Sequence, residues 1–291
     1  MVATALPHGF KRYHSHAEVA AEQHQLGCEW RGQQAMQQGL LGSAGRHGLY
    51  GYCAVCAKES RFEIEGLAAL KPGEQPNWRE TVRCEHCGLI NRWRASAQLF
   101  AIAYRGDPAA PMYITEQVTP LYECLRARYP GLVGSEFVAP DQTGGTEVRW
   151  RGRRVRHEDA TRLSFADASQ AAVLSFDVLE HIPDYQAALR EFARVLRPDG
   201  CLLLTAPFLF EAPHTLIRAR LQADGSIQHL EPPVYHGDPI NGEGVLCFQE
   251  FGWDLCDAMR TAGFRDVEVI SAWAPNFGYY GSFQVFFIAR R

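Results

Sequence analysis

Two cysteine pairs, Cys53-x2-Cys56 and Cys84-x2-Cys87, are separated by 27 residues. Each pair can sit on a tight turn, and two such turns can face four thiolates at one tetrahedral Zn²⁺. Gly88, directly after Cys87, fits this reading, because glycine permits the left-handed turn such knuckles use. The alternative is four unrelated buried thiols, since free cysteine is among the most buried residue types. Four thiolates complete the coordination shell, so the metal is expected to be structural. His86, inside the second pair, is then not needed as a ligand. Cys28, Cys124, Cys201, Cys247 and Cys256 are expected to be ordinary thiols.

A second set begins at Ser175-Phe176-Asp177-Val178-Leu179-Glu180-His181-Ile182-Pro183-Asp184. It continues in Phe192-Ala193-Arg194-Val195-Leu196-Arg197-Pro198-Asp199-Gly200-Cys201-Leu202-Leu203-Leu204. These stretches resemble class I S-adenosylmethionine-dependent methyltransferases, in which a strand ends in such a Leu-Glu-His loop. In that family the next helix leads into a Leu-Arg-Pro-Gly-Gly-type turn, and Asp199 stands here in place of the first glycine. The resemblance covers about 108–291 and is most specific between 155 and 208. It implies a Rossmann-like α/β fold, S-adenosylmethionine as cofactor and methyl transfer as the reaction.

Cofactor contacts follow from the same resemblance. Glu136 follows the second strand, where a carboxylate can accept hydrogen bonds from both ribose hydroxyls. Asp159, with Ala160, follows the third, where the family binds the adenine amino group. Glu116 and Gln117 lie in the first loop, and Phe137, Phe176 and Asp177 complete the expected set. The first loop departs from the family pattern, because Thr115-Glu116-Gln117-Val118-Thr119-Pro120 contains no glycine. Thr119 can cap the following helix, Pro120 suits its first turn, and that N-terminus can receive a carboxylate.

Methyl transfer to an oxygen or nitrogen can need a base near the acceptor's proton. His181 is one candidate, at the carboxyl edge of the sheet where ligands bind in such folds, although it can equally serve to shape the cofactor loop. Residues 208–246 form a long insertion between the fifth strand and the next helix, with Glu211, His214, Arg218, His229, Glu231, Tyr235, His236 and Asp238 among aromatics and prolines. Long loops of this kind are usually lids or binding loops. Tyr235-His236-Gly237-Asp238 is the expected acceptor contact, with Tyr235 and His236 as catalytic candidates beside His181; a solvated loop histidine is the alternative.

The elements that must position these groups can be placed by periodicity. Strands are expected at 112–115, 132–135, 155–157, 172–176, 201–205, 267–272 and 283–289, with helices near 120–129, 184–196 and 253–262. Short strands alternating with amphipathic helices are the signature of a parallel βαβ sheet. Residues 1–50 have weak helical periodicity and read as an arm of short helices. Residues 51–107 read as a small zinc-ribbon-like domain, and 108–291 as the methyltransferase domain.

The formal charge of −4 divides into +2 over residues 1–110 and −6 over 111–291. Neither half has the basic excess of a nucleic-acid binder. Five arginines between Arg149 and Arg156 can bind phosphates or form the wet face of an edge hairpin, with Trp150 and Val155 on its buried side. No apolar run approaches the ~20 residues of a membrane span, and the N-terminus lacks a signal-peptide pattern, so a cytoplasmic location is expected. The expected acceptor is a small molecule, a sugar or a glycan precursor. An RNA methyltransferase gripping its substrate through the zinc ribbon, and an inactive methyltransferase-like scaffold, are the alternatives. Oligomeric state is not set by the sequence.

Overall fold

The computed structural model describes residues 5–71, 73–237 and 244–291. Its main sheet contains β1 (Phe10–Tyr13), β2 (Met112–Ile114), β3 (Leu132–Gly134), β4 (Gln170–Phe176), β5 (Leu196–Thr205), β6 (Arg265–Ala274) and β7 (Tyr279–Arg290). The strand order is β1-β6-β7-β5-β4-β2-β3. β2, β3, β4 and β5 are mutually parallel where they pair, and β7 runs antiparallel to β5. β4 is buried along nearly its whole length, as a central strand covered on both faces must be. This is the Rossmann-like α/β sheet that the resemblance implies.

The main helices are α1 (His16–His47), α2 (Asn91–Ala103), α3 (Pro120–Arg128), α4 (Tyr185–Val195) and α5 (Asp254–Thr261). Thr119 Oγ1 caps α3 by accepting from Tyr122 N at 3.2 Å, with Pro120 in the first turn. Asp184 caps α4 through Ala187 N at 2.9 Å, and Ala188, Leu189, Phe192 and Val195 bury one face. Among the described residues no helix is long and apolar enough to cross a membrane.

The chain packs as two compact units. One comprises residues 1–13, 17–105 and 270–285, and the other 14–16, 106–269 and 286–291. This division differs from the boundaries expected at 50 and 107, because part of β6 and part of β7 belong with the N-terminal unit. Residues 16–47 form one continuous helix rather than several short ones.

In the first unit, the strands Leu49–Cys53, Lys58–Ile64 and Val82–Cys84 make an antiparallel sheet over a core of Leu49, Phe62, Trp78, Val82 and Tyr280. Arg94 of α2 is wholly buried there. Its guanidinium donates to the carbonyls of Phe277 at 2.6 Å, Gly278 at 2.9 Å and Val82 at 3.4 Å, and lies 4.2 Å from the centroid of the Phe62 ring. Asn91 Nδ2 adds bonds to Trp78 O at 3.0 Å and Tyr280 O at 2.8 Å. These bonds explain why 270–285 belongs with this unit.

In the second unit, the loops at the carboxyl ends of the parallel strands are braced by carboxylates. Glu136, after β3, accepts from Gln117 N at 2.6 Å and Val118 N at 2.9 Å through one oxygen. Gln117 Oε1 accepts from Arg156 N at 2.8 Å, so the first loop is held from two sides. A glycine is required on the neighbouring strand. A Cβ at Gly134 would collide with the Glu116 carbonyl and come within 2.7 Å of the Tyr122 ring. The first loop has no glycine of its own, and the close approach falls to Gly134.

The expected third strand at 155–157 does not join the main sheet. Glu147–Trp150 and Arg153–Arg156 form a separate hairpin, and His157 makes a single parallel bridge with Glu136. The hairpin buries Val155, as expected, and leaves most of the arginines wet. Arg154 meets Glu147 at 3.1 Å, while Arg156 is held by Glu158 and lies 4.8 Å from the Phe165 ring centroid.

Two predictions follow from this packing. Arg94→Met removes a donor from several carbonyls at once and should destabilise the fold by about 3 kcal/mol or more. Urea unfolding followed by tryptophan fluorescence checks it; a loss below about 1 kcal/mol would show that those carbonyls are satisfied without Arg94. Glu136→Ala should speed amide exchange at Gln117 and Val118 by roughly tenfold to a hundredfold, the equivalent of ~1.5–3 kcal/mol for charge-assisted bonds. Unchanged protection at both amides would mean that the brace does not hold the loop.

Candidate functional site

Cys53 ends one strand of the small sheet and Cys84 ends another; both are fully buried. Cys53 Sγ lies 3.9 Å from Cys87 Sγ, Cys56 Sγ lies 3.9 Å from Cys84 Sγ, and all four sulfurs fall within 4.8 Å of one another. The residue after each pair is left-handed, Ala57 with φ 56° and Gly88 with φ 68°. Both turns thus have the knuckle shape that points two thiols to one side. A hydrogen bond from Cys87, helped by Cys56 and the Arg94 charge, lowers the Cys53 thiol to about 5 against the effect of burial. Donating that bond, together with burial, raises the Cys87 thiol. Burial and the neighbouring Cys53 push the Cys56 thiol up to about 12, so thiolate character is concentrated on Cys53.

The residues expected to contact a cofactor gather along the carboxyl edge of the parallel strands. Glu116 and Gln117 follow β2, Glu136 and Phe137 follow β3, Asp159 and Ala160 follow the hairpin, and Phe176 and Asp177 close β4. Phe137 is 54% exposed, with its ring centroid 5.5 Å from that of the buried His157. His157 Nδ1 in turn accepts from Val138 N at 3.1 Å, which fixes the imidazole under the aromatic ring. Asp159 Oδ1 accepts from Thr161 N at 2.8 Å and Thr161 Oγ1 at 2.7 Å, so its loop turns tightly. Asp177 has φ 53° and accepts from Thr205 Oγ1 at 3.0 Å; Phe176 is buried beneath it. Asp199 has φ 62°, a conformation glycine adopts freely and aspartate tolerates, at the position where the resemblance has glycine.

The Leu179-Glu180-His181 turn and the insertion meet on the same edge. Phe248 N donates to Glu180 O at 2.8 Å, and Gln249 Nε2 donates to Leu179 O and Ile182 O, both at 3.0 Å. His236 pairs across a short ladder with Val245, and its ring centroid lies 5.1 Å from that of His181. Cys247 Sγ lies 3.9 Å from His236 Nε2, and Glu180 Oε1 lies 3.3 Å from His236 Nδ1. These neighbours, Cys247 foremost, push His236 up to about 10.

Tyr235 does not join them. It precedes His236 on the same strand, points to the opposite face and is 58% exposed. His214 is exposed beside Asp254, Arg218 is tied to Glu250 and Pro232 O, and Asp238 lies outside the described residues. Cys247, expected to be an ordinary thiol, carries the contact that sequence reading missed.

The family model of a methyltransferase domain matches residues 136–204, which run from the brace at Glu136 to the end of β5. The demethylmenaquinone methyltransferase of Deinococcus radiodurans is 30% identical over 200 residues, covering 61% of this chain and 76% of that protein. The protein of the same name from Mycolicibacterium paratuberculosis is 46% identical over 143 residues, covering 46% of this chain and 60% of its own length. Only 25% of the length of a Mycobacterium tuberculosis S-adenosylmethionine-dependent methyltransferase is spanned, at 41% identity over 69 residues. A solved S-adenosylmethionine-dependent methyltransferase from Mesorhizobium loti superposes with a TM-score of 0.42 at 14% identity, over 67% of this chain and 98% of that one. By its likeness to the Deinococcus protein, the chain belongs to the S-adenosylmethionine-dependent methyltransferases.

Proposed function

We propose that this protein transfers a methyl group from S-adenosylmethionine to a small hydroxylated molecule at the carboxyl edge of its main sheet. The observation that carries the reading is the coincidence of the family match with the braced edge. The matched residues 136–204 contain Glu136, Phe137, Asp159, Asp177 and the Leu179-Glu180-His181 turn. Bound there, S-adenosylmethionine supplies an activated methyl group on a sulfonium. Everything else is positioning, which in an in-line displacement contributes most of the acceleration.

The residues fit such a ligand. An aromatic side chain left 54% exposed beside a fixed imidazole is a platform for a flat base, and Phe137 is placed to be that platform. Asp159 lies beyond it for an exocyclic amino group. One oxygen of Glu136 is engaged by Gln117 N and Val118 N, which holds the carboxylate at the edge where it would meet a ribose. Glu116 and Gln117 line the loop ahead of the α3 N-terminus, which suits a carboxylate. Phe176, Asp177 and Ala160 wall the site between these groups.

The acceptor reading rests on two supports. Two relatives are named demethylmenaquinone methyltransferases, and the imidazoles of His181 and His236, with centroids 5.1 Å apart, support an acceptor's polar group beside them. The exposed Tyr235 is left to the rim. In the other unit, the four-cysteine cluster is proposed to hold one structural zinc, with all four positions filled by sulfur.

Titration calorimetry with S-adenosylmethionine tests the cofactor site. Asp159→Ala and Phe137→Ala should each weaken binding by roughly tenfold to a hundredfold without loss of fold. A wild type that binds no S-adenosylmethionine at millimolar ligand would overturn the reading in favour of a scaffold. Transfer of label from methyl-labelled S-adenosylmethionine to a panel of hydroxylated quinols, phenols and sugars then identifies the acceptor. Cys84→Ser should lose zinc from the cluster and lower the thermal midpoint; a metal-free Cys53, Cys56, Cys84 and Cys87 set in a fully folded wild type would remove the zinc assignment.

A further inference from the structure

Glu180 is fully buried at the carboxyl edge of the sheet, and among the described residues no backbone N–H or hydroxyl donates to its carboxylate, whose polar neighbours are imidazoles. Its neighbours show how unusual that is. Glu136 accepts from two backbone N–H groups, Glu158 from Ser164 N at 2.9 Å, and Glu191 from Leu163 N at 2.8 Å. A buried carboxylate without donors costs several kcal/mol or more unless positive charge lies against it. The closest basic atoms are His236 Nδ1 at 3.3 Å and His181 Nε2 at 3.7 Å.

Those imidazoles are arranged as ligands. His181 Nδ1 lies 2.9 Å from the carbonyl of Leu246, which can only accept, so the proton sits on Nδ1 and Nε2 presents its lone pair. His236 turns Nδ1 toward Glu180 and Nε2 toward Cys247 Sγ, 3.9 Å away. A carboxylate or carbonyl behind each metal-binding histidine is the usual outer support of such sites. One ligand atom from each of His181, His236 and Cys247 lies within 4.8 Å of the others, and the His236 Nε2–Cys247 Sγ separation is 3.9 Å. Tetrahedral zinc needs donors about 3.3–3.8 Å apart, close to the His236–Cys247 separation, so these three side chains can supply three of its four positions.

The geometry points to a second metal site, in which His181 Nε2, His236 Nε2 and Cys247 Sγ bind a zinc ion balanced by Glu180. Two neutral imidazoles, one thiolate and one carboxylate offset the charge of Zn²⁺ completely. Three protein donors leave the fourth position open, as in zinc sites that act on ligands. That position takes an anionic oxygen or sulfur. Its use to hold an acceptor hydroxyl or thiol as its anion rests on the methyl-transfer reading above; the site itself does not.

The test is metal analysis of the full chain after purification and equilibration with zinc alone. Two equivalents per chain are expected, falling to one in His236→Ala and in Cys247→Ser while the four-cysteine cluster keeps its own. Glu180→Gln preserves shape and should lose the second ion to a chelator at roughly tenfold to a hundredfold lower concentration. Cobalt substitution supplies an independent readout, since Cys84→Ser should leave cobalt–thiolate absorption from Cys247 alone. One equivalent in the wild type, unchanged in all three site variants, overturns the inference. Calorimetry with S-adenosylmethionine separates the two readings. Cofactor binding without a second zinc leaves methyl transfer standing and removes this site, and a second zinc without cofactor binding does the reverse.

Discussion

Glu136 accepts two backbone N–H bonds from the loop after β2, and much of the carboxyl edge takes its position from that pair. In a parallel sheet every strand ends with its last amides pointing past the ladder, and the loops there must find acceptors or water. Glu136 satisfies Gln117 and Val118, Gln117 passes the restraint on to Arg156, and His157 bridges back to Glu136. Three loops are thereby locked to one carboxylate. Gly134 makes the approach possible, since any side chain there would strike the Glu116 carbonyl. The usual glycines of the first loop are replaced by one glycine on its neighbour, and the loop gains stiffness from ordinary residues.

The N-terminal unit solves a different problem, a cation with no water. Arg94 is buried without a carboxylate partner among the described residues, and its charge is spread over carbonyls and the faces of Phe62 and Tyr279. The same charge lowers the Cys53 thiol, though less than the hydrogen bond from Cys87 does. Were the cluster to hold the proposed zinc, four thiolates around a divalent ion would carry a net negative charge, which the buried guanidinium nearby would offset. Residues 277 and 278 are drawn into this unit because their carbonyls supply what the guanidinium lacks.

What could be read from the sequence follows from how local each signal is. The cysteine pairs and the Leu-Glu-His turn are short-range patterns, and the structure places both where local turns dictate. α4 and α5 show because their buried faces are apolar at helical spacing. α1 was obscured because two positions on its buried side are Gln33 and Gln37, which break the apolar stripe; Gln37 is spent on Gly281 N and the Trp273 indole. The supposed third strand was a hairpin, and the signal was present: Arg151 and Gly152 both take positive φ, the tight two-residue turn that reverses a ribbon. Cys247 left no such trace. It stands 11 residues from His236 and 66 from His181, a spacing that no ligand pattern uses, and only the sheet's topology gathers the three.

The insertion was expected to be a lid or binding loop, and its described residues form short antiparallel ladders. Its short ladders rest on Ala219, Leu246 and Phe248, and three hydrogen bonds pin the segment 248–249 to the Leu179–Ile182 turn. Backbone bonds of this kind hold positions more closely than a free loop can, and a site built from them is organised before its ligand arrives. His181 is held by Leu246 O, whereas the His236 ring is held by the side chains of Glu180 and Cys247. The proposed acceptor wall would then be set by these ladders before any ligand binds. Selectivity on such a wall would come from which polar groups can meet those imidazoles without leaving Glu180 uncompensated, because the penalty for an unpaired buried charge exceeds what shape alone can supply.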